Sequence, residues 1–293
     1  MKREEQKAGT TEYVHPFLHE NTSTLAEQSY HTSFTGREHV FQNVRGERVL
    51  SAAVYLEMAL AAYHHAADSS EEKEIWIRTA AWTDPITGGH HGAGVNLSLL
   101  SEDEEGIHYE IYSEEKLHHY GIIGQGNIQP SRVLDIASLQ KDCRPLSFDY
   151  ETPGTSGVTI SKEFRTVEKL YAGENAVWAK LALIDESGCN PGYHLPPEFL
   201  DAAFQVLAKT EPSVHIVPEA VEELRVMRPC SSGMWMYINK KNQTGCDIQF
   251  CDETGIVCAE IKGIRMRQPS QQDHGQEEQS EMMIFEERWT QDL

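Results

Sequence analysis

Asp201 and Gln205 stand four residues apart in LPPEFLDAAFQVL (Leu195–Leu207), a spacing that puts a carboxyl and a carboxamide on one helical face. A carboxyl there can give or take a proton. Burial would favour its neutral form, while the helix N-terminus nearby favours the anion. The plainer use of Asp201 is as a carboxylate helping to cap its helix. A second group is His39 with Gln42, just before Gly46. An imidazole can serve as a base near neutral pH, whereas a carboxamide offers a donor and an acceptor but no basic lone pair. On a strand, an offset of three reverses the face, so His39 points away if Gln42 points in and reads as a partly exposed histidine.

Other chemistry-bearing residues give plainer readings. Gly121-Ile-Ile-Gly124-Gln-Gly126-Asn127 superficially matches a phosphate-binding loop, but no helix follows it and a bulged strand fits better. The pairs His64-His65, His90-His91 and His118-His119 lack a third ligand at helical spacing, so no metal is expected. Glu102–Glu105 reads as a solvated turn. No Gly-x-Ser-x-Gly elbow or cysteine–histidine pairing stands out.

The elements that must carry these residues come in two similar halves. The first predicts strands at Ser29–Phe34 and Arg48–Leu50, then a helix over Ser51–Ala66 with Ser51 as N-cap. Strands follow at Trp76–Trp82, Gly94–Leu100, Ile107–Ser113 and Gly121–Ile128. The second half predicts strands at Phe164–Tyr171 and Ala176–Leu183, then a helix over Pro197–Lys209 with an apolar stripe. Strands at Glu222–Met227, Met234–Asn239, Cys246–Asp252 and Ile256–Arg267 complete it. Each half is thus one small-residue helix and an antiparallel series of strands. Two such units side by side would join their sheets and leave a cleft between the helices.

Composition bounds the function. The chain has 293 residues, 25 Lys+Arg against 46 Asp+Glu and a formal charge of -21, which disfavours nucleic acid and anionic membrane surfaces as partners. The longest apolar stretches, broken by Glu57, fall short of a membrane span. MKREEQKAGTTEY lacks an apolar signal core, and six cysteines without a CxxC pair read as reduced thiols, so a cytoplasmic location is expected. Pro269–Glu281 is a polar stretch followed by the apolar MMIFEERWTQDL, either a linker into another domain or a tail folding back.

Six pieces in order resemble one family: GERVLSAAVYLEMALAA (Gly46–Ala62), AAWTDPI (Ala80–Ile86), EFRTVEKLYAG (Glu163–Gly173), LPPEFLDAAFQVL, VPEAVEELRV (Val217–Val226) and DETGIVCAEIKGIRMR (Asp252–Arg267). The chain resembles the dehydratase domains of modular polyketide synthases from His15 to about Arg267. That implies an α+β double hotdog fold, two antiparallel sheets each wrapping a helix and joined side by side. The expected divisions are a linker at 1–14, a first hotdog at 15–130, a connecting linker at 131–147, a second hotdog at 148–268 and a C-terminal linker at 269–293. The opening HPFLHENTSTLAEQSYHTSFTG resembles synthases with separately encoded acyltransferases. MMIFEERWT resembles the start of a ketoreductase domain.

In this family a His in an HxxxGxxxxP motif is the base, and an Asp in a DxxxQ or DxxxH motif helps the hydroxyl leave. The resemblance makes Asp201 the catalytic candidate and Gln42 and Gln205 substrate-binding candidates. Yet Gln42 stands where the His should be and Ser51 where the Pro should be, and Thr159-Ile160-Ser161-Lys162 replaces a tyrosine-glycine-proline element of the substrate tunnel. The expectation is a dehydratase-like domain that accommodates a chain on an acyl carrier protein without dehydrating it. Enoyl isomerisation, conjugate addition, and dehydration by another His such as His39 are the alternatives. No cofactor is expected beyond the carrier's phosphopantetheine, nor any metal. Partners are the carrier, docking near Arg225, Arg228 and Arg265, and neighbouring synthase domains; a homodimer is allowed.

Overall fold

The computed structural model describes residues 13–267 except 26, 45, 68–72, 90–91, 115, 128–129, 131, 142, 151–157, 184–191, 211–216 and 242–244. The expected C-terminal linker, the MMIFEERWT start, most of the N-terminal linker and the pair His90-His91 lie outside the described residues.

The first half comprises β1 (Glu20–Asn21), β2 (Gln28–Phe34), β3 (Phe41–Val44), β4 (Glu47–Leu50), α1 (Ala52–Ala66), β5 (Glu74–Trp82), β6 (Ala93–Asp103), β7 (Gly106–Ser113) and β8 (Lys116–Gly126). A short helix α2 (Ile136–Gln140) and β9 (Arg144–Leu146) lead to the second half. There follow β10 (Val158–Thr159), a 3-10 turn (Lys162–Phe164), β11 (Val167–Ala172), β12 (Ala176–Ala182), α3 (Pro197–Thr210), β13 (Val217–Val226), β14 (Gly233–Lys240), β15 (Gly245–Cys251) and β16 (Val257–Arg267).

The strands form one antiparallel sheet in the order β1-β2-β6-β7-β8-β5-β13-β16-β15-β14-β12-β11-β9, with a small separate sheet β10-β3-β4. The halves meet at β5–β13, in a register pairing Ile77 with Leu224 and Arg78 with Glu223. Ile75, Ile77, Leu224 and Val226 face the core along this seam. On the other face Arg78 meets Glu223 at 3.0 Å and Arg225 meets Glu74 at 3.3 Å.

Helix α1 is buried on every face from Ala53 to Tyr63, as its small and apolar residues allow. It therefore serves as the core of its own half and touches α3 as well. No helix among the described residues is long and apolar enough to cross a membrane. The glycine-rich stretch is β8, where Gly121 and Gly124 have a packing reason: a methyl group would collide with the rings of Tyr109 and Trp76. One of the register shifts that involve β8 falls at Gly121, which lies between Tyr120 and Ile122, the partners of Ala81 and Arg78 on either side of the irregularity.

Candidate active site

The site is assembled from both halves. Strands β3 and β4 form a hairpin that pairs Gln42 with Val49 and Phe41 with Leu50. Its turn needs Gly46, whose φ of 97° other residues rarely adopt, and Asn43 Oδ1 accepts the Gly46 N–H at 2.9 Å. This register places Gln42 and the residue after β4, Ser51, on the same side of the molecule. Ser51 is the N-cap of α1, as its residue type predicts: its Oγ accepts the Ala53 N–H. Its own N–H donates to Val40 O at 2.9 Å.

From the other half, Asp201 and Gln205 share one face of α3, as their spacing predicts. Asp201 is 5% exposed, Gln42 9% and Ser51 5%. Ser51 Oγ donates to Asp201 Oδ1 at 2.9 Å, across 150 residues of sequence. Gln205 Nε2 donates to Asp201 Oδ2 at 2.6 Å and to Phe164 O, at the end of the 3-10 turn, at 3.3 Å. The Gln42 amide stands against Asp201 and favours its anion, although its Nε2 has no hydrogen bond of good geometry. Burial nevertheless wins and pushes the Asp201 carboxyl above its ordinary value, against Gln205, Gln42 and Ser51, with Glu198 adding to the rise. Capping is not its role. Glu198 is the acid of the first turn, and Asp201 bonds to Ser51 and Gln205.

His39 behaves differently from the strand argument. It sits in a turn before β3, not on a strand, so face alternation does not govern it. Its side chain is 42% exposed, and Nε2 lies 3.4 Å from Glu198 Oε1, one helical turn before Asp201. Glu198 raises the His39 pKa. Ser161 Oγ, in the replaced tunnel element, donates to the His39 carbonyl at 3.1 Å. Among the described residues no hydrogen bond or ion pair joins an imidazole to Asp201. Tyr150 also flanks the site: its hydroxyl accepts the Val167 N–H at 2.7 Å, and burial first, with the Asp201 charge contributing, pushes its pKa up to about 12.

A second buried acid was visible in the sequence only as a break in an apolar helix. Glu57, in the middle of α1, accepts the backbone N–H groups of His194 and Leu195, each at 2.9 Å. His15 Nε2 and His194 Nδ1 both lie 3.5 Å from Glu57 Oε1. Burial opposes its charge, but the contacts with His15 and His194 more than offset that and hold its carboxyl below the ordinary value. The basic patch expected near Arg225 is largely neutralised. Arg225 pairs with Glu223 and Glu74, and Arg265 lies 3.9 Å from Glu219.

Residues 15–114 match the family profile described as "Polyketide synthase dehydratase domain", and residues 135–276 match one described as "Polyketide synthase dehydratase N-terminal domain". The chain belongs to the polyketide synthase dehydratase domain family. Among curated relatives, this dehydratase-family domain is 30% identical over 309 residues to polyketide synthase PksN of Bacillus subtilis, covering 94% of the domain. It is 27% identical over 306 residues to PksM of the same organism. The chain spans only 6% and 7% of the length of these two relatives. A solved trans-AT polyketide synthase dehydratase domain from Brevibacillus brevis is 29% identical and superposes with a TM-score of 0.79, over 88% of this chain and 99% of that one. The dehydratase domain of RzxB from Pseudomonas fluorescens, 23% identical, superposes at 0.78 over 88% of this chain and all of its own. The neighbours share the double hotdog fold, so the expected fold class holds for this domain.

Proposed function

We propose that this domain accommodates an acyl carrier protein-tethered polyketide chain within a trans-AT synthase and does not dehydrate it. Dehydration needs a base to take the α proton as the Cα–H bond breaks, and an acid to protonate the departing β-hydroxyl as the C–O bond breaks and C=C forms. The observation that carries the reading is the set of groups around Asp201. A carboxamide, Gln42, stands where the base would be, and both Asp201 oxygens already take hydrogen bonds from the protein. A carboxamide can hydrogen-bond a thioester carbonyl, but it cannot take the α proton at neutral pH. The relatives from multidomain synthases support the setting, which implies a carrier bearing phosphopantetheine, neighbouring domains such as a ketoreductase, and a cytoplasmic location.

The test is incubation of the domain with 3-hydroxyacyl and 2-enoyl carrier thioesters, following mass and alkene position. The expected result is an unchanged hydroxyacyl chain; loss of the mass of one water overturns the reading. One observation favours a second reading, altered catalysis on the tethered chain: burial raises Asp201, so it can exchange a proton as a lone acid or base. An alkene that migrates without mass change would identify that chemistry as isomerisation.

A further inference from the structure

The replacement of the motif proline by Ser51 has its own effect on the site. A proline at this position has neither a hydroxyl nor an N–H. Ser51 uses both. Its N–H holds Val40 O, and its hydroxyl accepts from Ala53 N while donating to Asp201 Oδ1. The backbone at residue 51 has φ -57°, which suits proline equally well, so the substitution changes the available hydrogen bonds and leaves the chain path possible for either residue.

Gln205 engages only Oδ2, through Nε2, which also donates to Phe164 O. Without Ser51, Oδ1 would be the free oxygen, the one able to carry a proton and turn it toward a leaving hydroxyl. With Ser51 in place that oxygen is an acceptor inside a buried bond linking α1 to α3. A donor on each oxygen favours the anion and works against the proton that burial would otherwise keep on Asp201.

We infer that Ser51 is a positioning residue that blocks Asp201 from acting as an acid, a second lesion separate from the absence of a base at Gln42. This inference rests on the reading of the site as a dehydratase remnant, and it adds that restoring the imidazole alone does not restore the reaction. The bond also gives the site a present use. The former acid becomes a strut between the two halves, closed by Ser51 on one side and by Gln205 and Phe164 O on the other.

Two measurements test it. The first is the titration of Asp201, followed by carboxyl-carbon NMR in the whole domain. Replacing Ser51 by alanine removes the hydroxyl and also the cap, so Ser51→Gly, which a helix start tolerates well, serves as the companion variant. The midpoint of Asp201 moves to higher pH in both, and Ser51→Thr, which keeps the hydroxyl and the cap, returns it toward the native position. A midpoint unmoved by Ser51→Ala and Ser51→Gly overturns the inference. The second is water loss from a 3-hydroxyacyl carrier thioester by Gln42→His and by Gln42→His/Ser51→Gly. The double variant is expected to be faster by about tenfold or more, the worth of one hydrogen bond to a charged group. Equal, measurable rates overturn the inference. If neither variant releases water, the titration alone decides it. Water loss by the unaltered domain would refute the proposed function and the block at Asp201 together, whereas an unmoved titration refutes the Ser51 inference alone.

Discussion

Asp201 and Glu57 are both buried carboxyls on helices that touch one another, and both tie the first half to the second, yet they are displaced in opposite directions. Glu57 takes two backbone N–H groups and has two imidazoles within 3.5 Å, groups that can share or supply positive charge. Its carboxyl is held low. Asp201 takes a hydroxyl and an amide N–H, with the Glu198 charge nearby, and burial leaves it raised. Burial alone therefore does not decide which acid keeps its proton; the partners do. Glu57 stays charged at neutral pH and fastens the start of α3, while at Asp201 burial favours the proton and the Ser51 and Gln205 donors work against it.

Removing each acid should separate these roles most strongly. Glu57→Ala strands the N–H groups of His194 and Leu195 in the core and should cost about 3 kcal/mol or more in urea denaturation. Asp201→Asn keeps shape and most bonding, and its effect should lie within about 1 kcal/mol. Equal losses would break the distinction. The pH dependence should come next. Because Glu57 is lowered from an ordinary 4.5, its contribution is full above that value and is lost as pH falls through the lowered folded value. Asp201 is raised from an ordinary 3.8, so between 3.8 and its raised value the folded state holds the extra proton, and stability declines as pH rises through that window. Stability profiles of Asp201→Asn and Glu57→Gln against the unaltered domain should lose these two slopes separately. A single common slope in both would contradict the assignment. The smallest expected effect is that of His15→Gln, which removes one group holding Glu57 low. The acid-side loss should then begin at a higher pH, read from the same profiles.

The long elements were legible because their patterns are strong. The helix expected over Pro197–Lys209 is α3, Pro197–Thr210, and Ser51 caps α1 as its residue type suggested. The strand expected at Trp76–Trp82 begins earlier, at Glu74, where a buried acid interrupts the apolar pattern. What escaped were short pieces: β3, which carries Gln42, along with β1, β9, β10 and α2, each five residues or fewer. Such segments have too few residues for periodicity to register, and tertiary contacts define them. In the site, the pairing of Asp201 with Gln205 could be read from their spacing, and Gln42 and Ser51 from their places in the motif. The bond between Ser51 and Asp201 could not be read, since it joins residues 150 apart. Glu57 did leave a signal, a lone acid inside an otherwise apolar helix, whose partners only the fold could supply.

The β5–β13 seam carries a consequence for how the molecule could be taken apart. Its inner face is aliphatic and its outer face is laced by Arg78–Glu223 and Arg225–Glu74. If the polypeptide were made as two separate fragments, each would display a bare strand edge, a template for whatever strand it met first. Mixed together, the fragments should complement one another through matched charges, less readily as ionic strength rises; apart, each is an aggregation hazard.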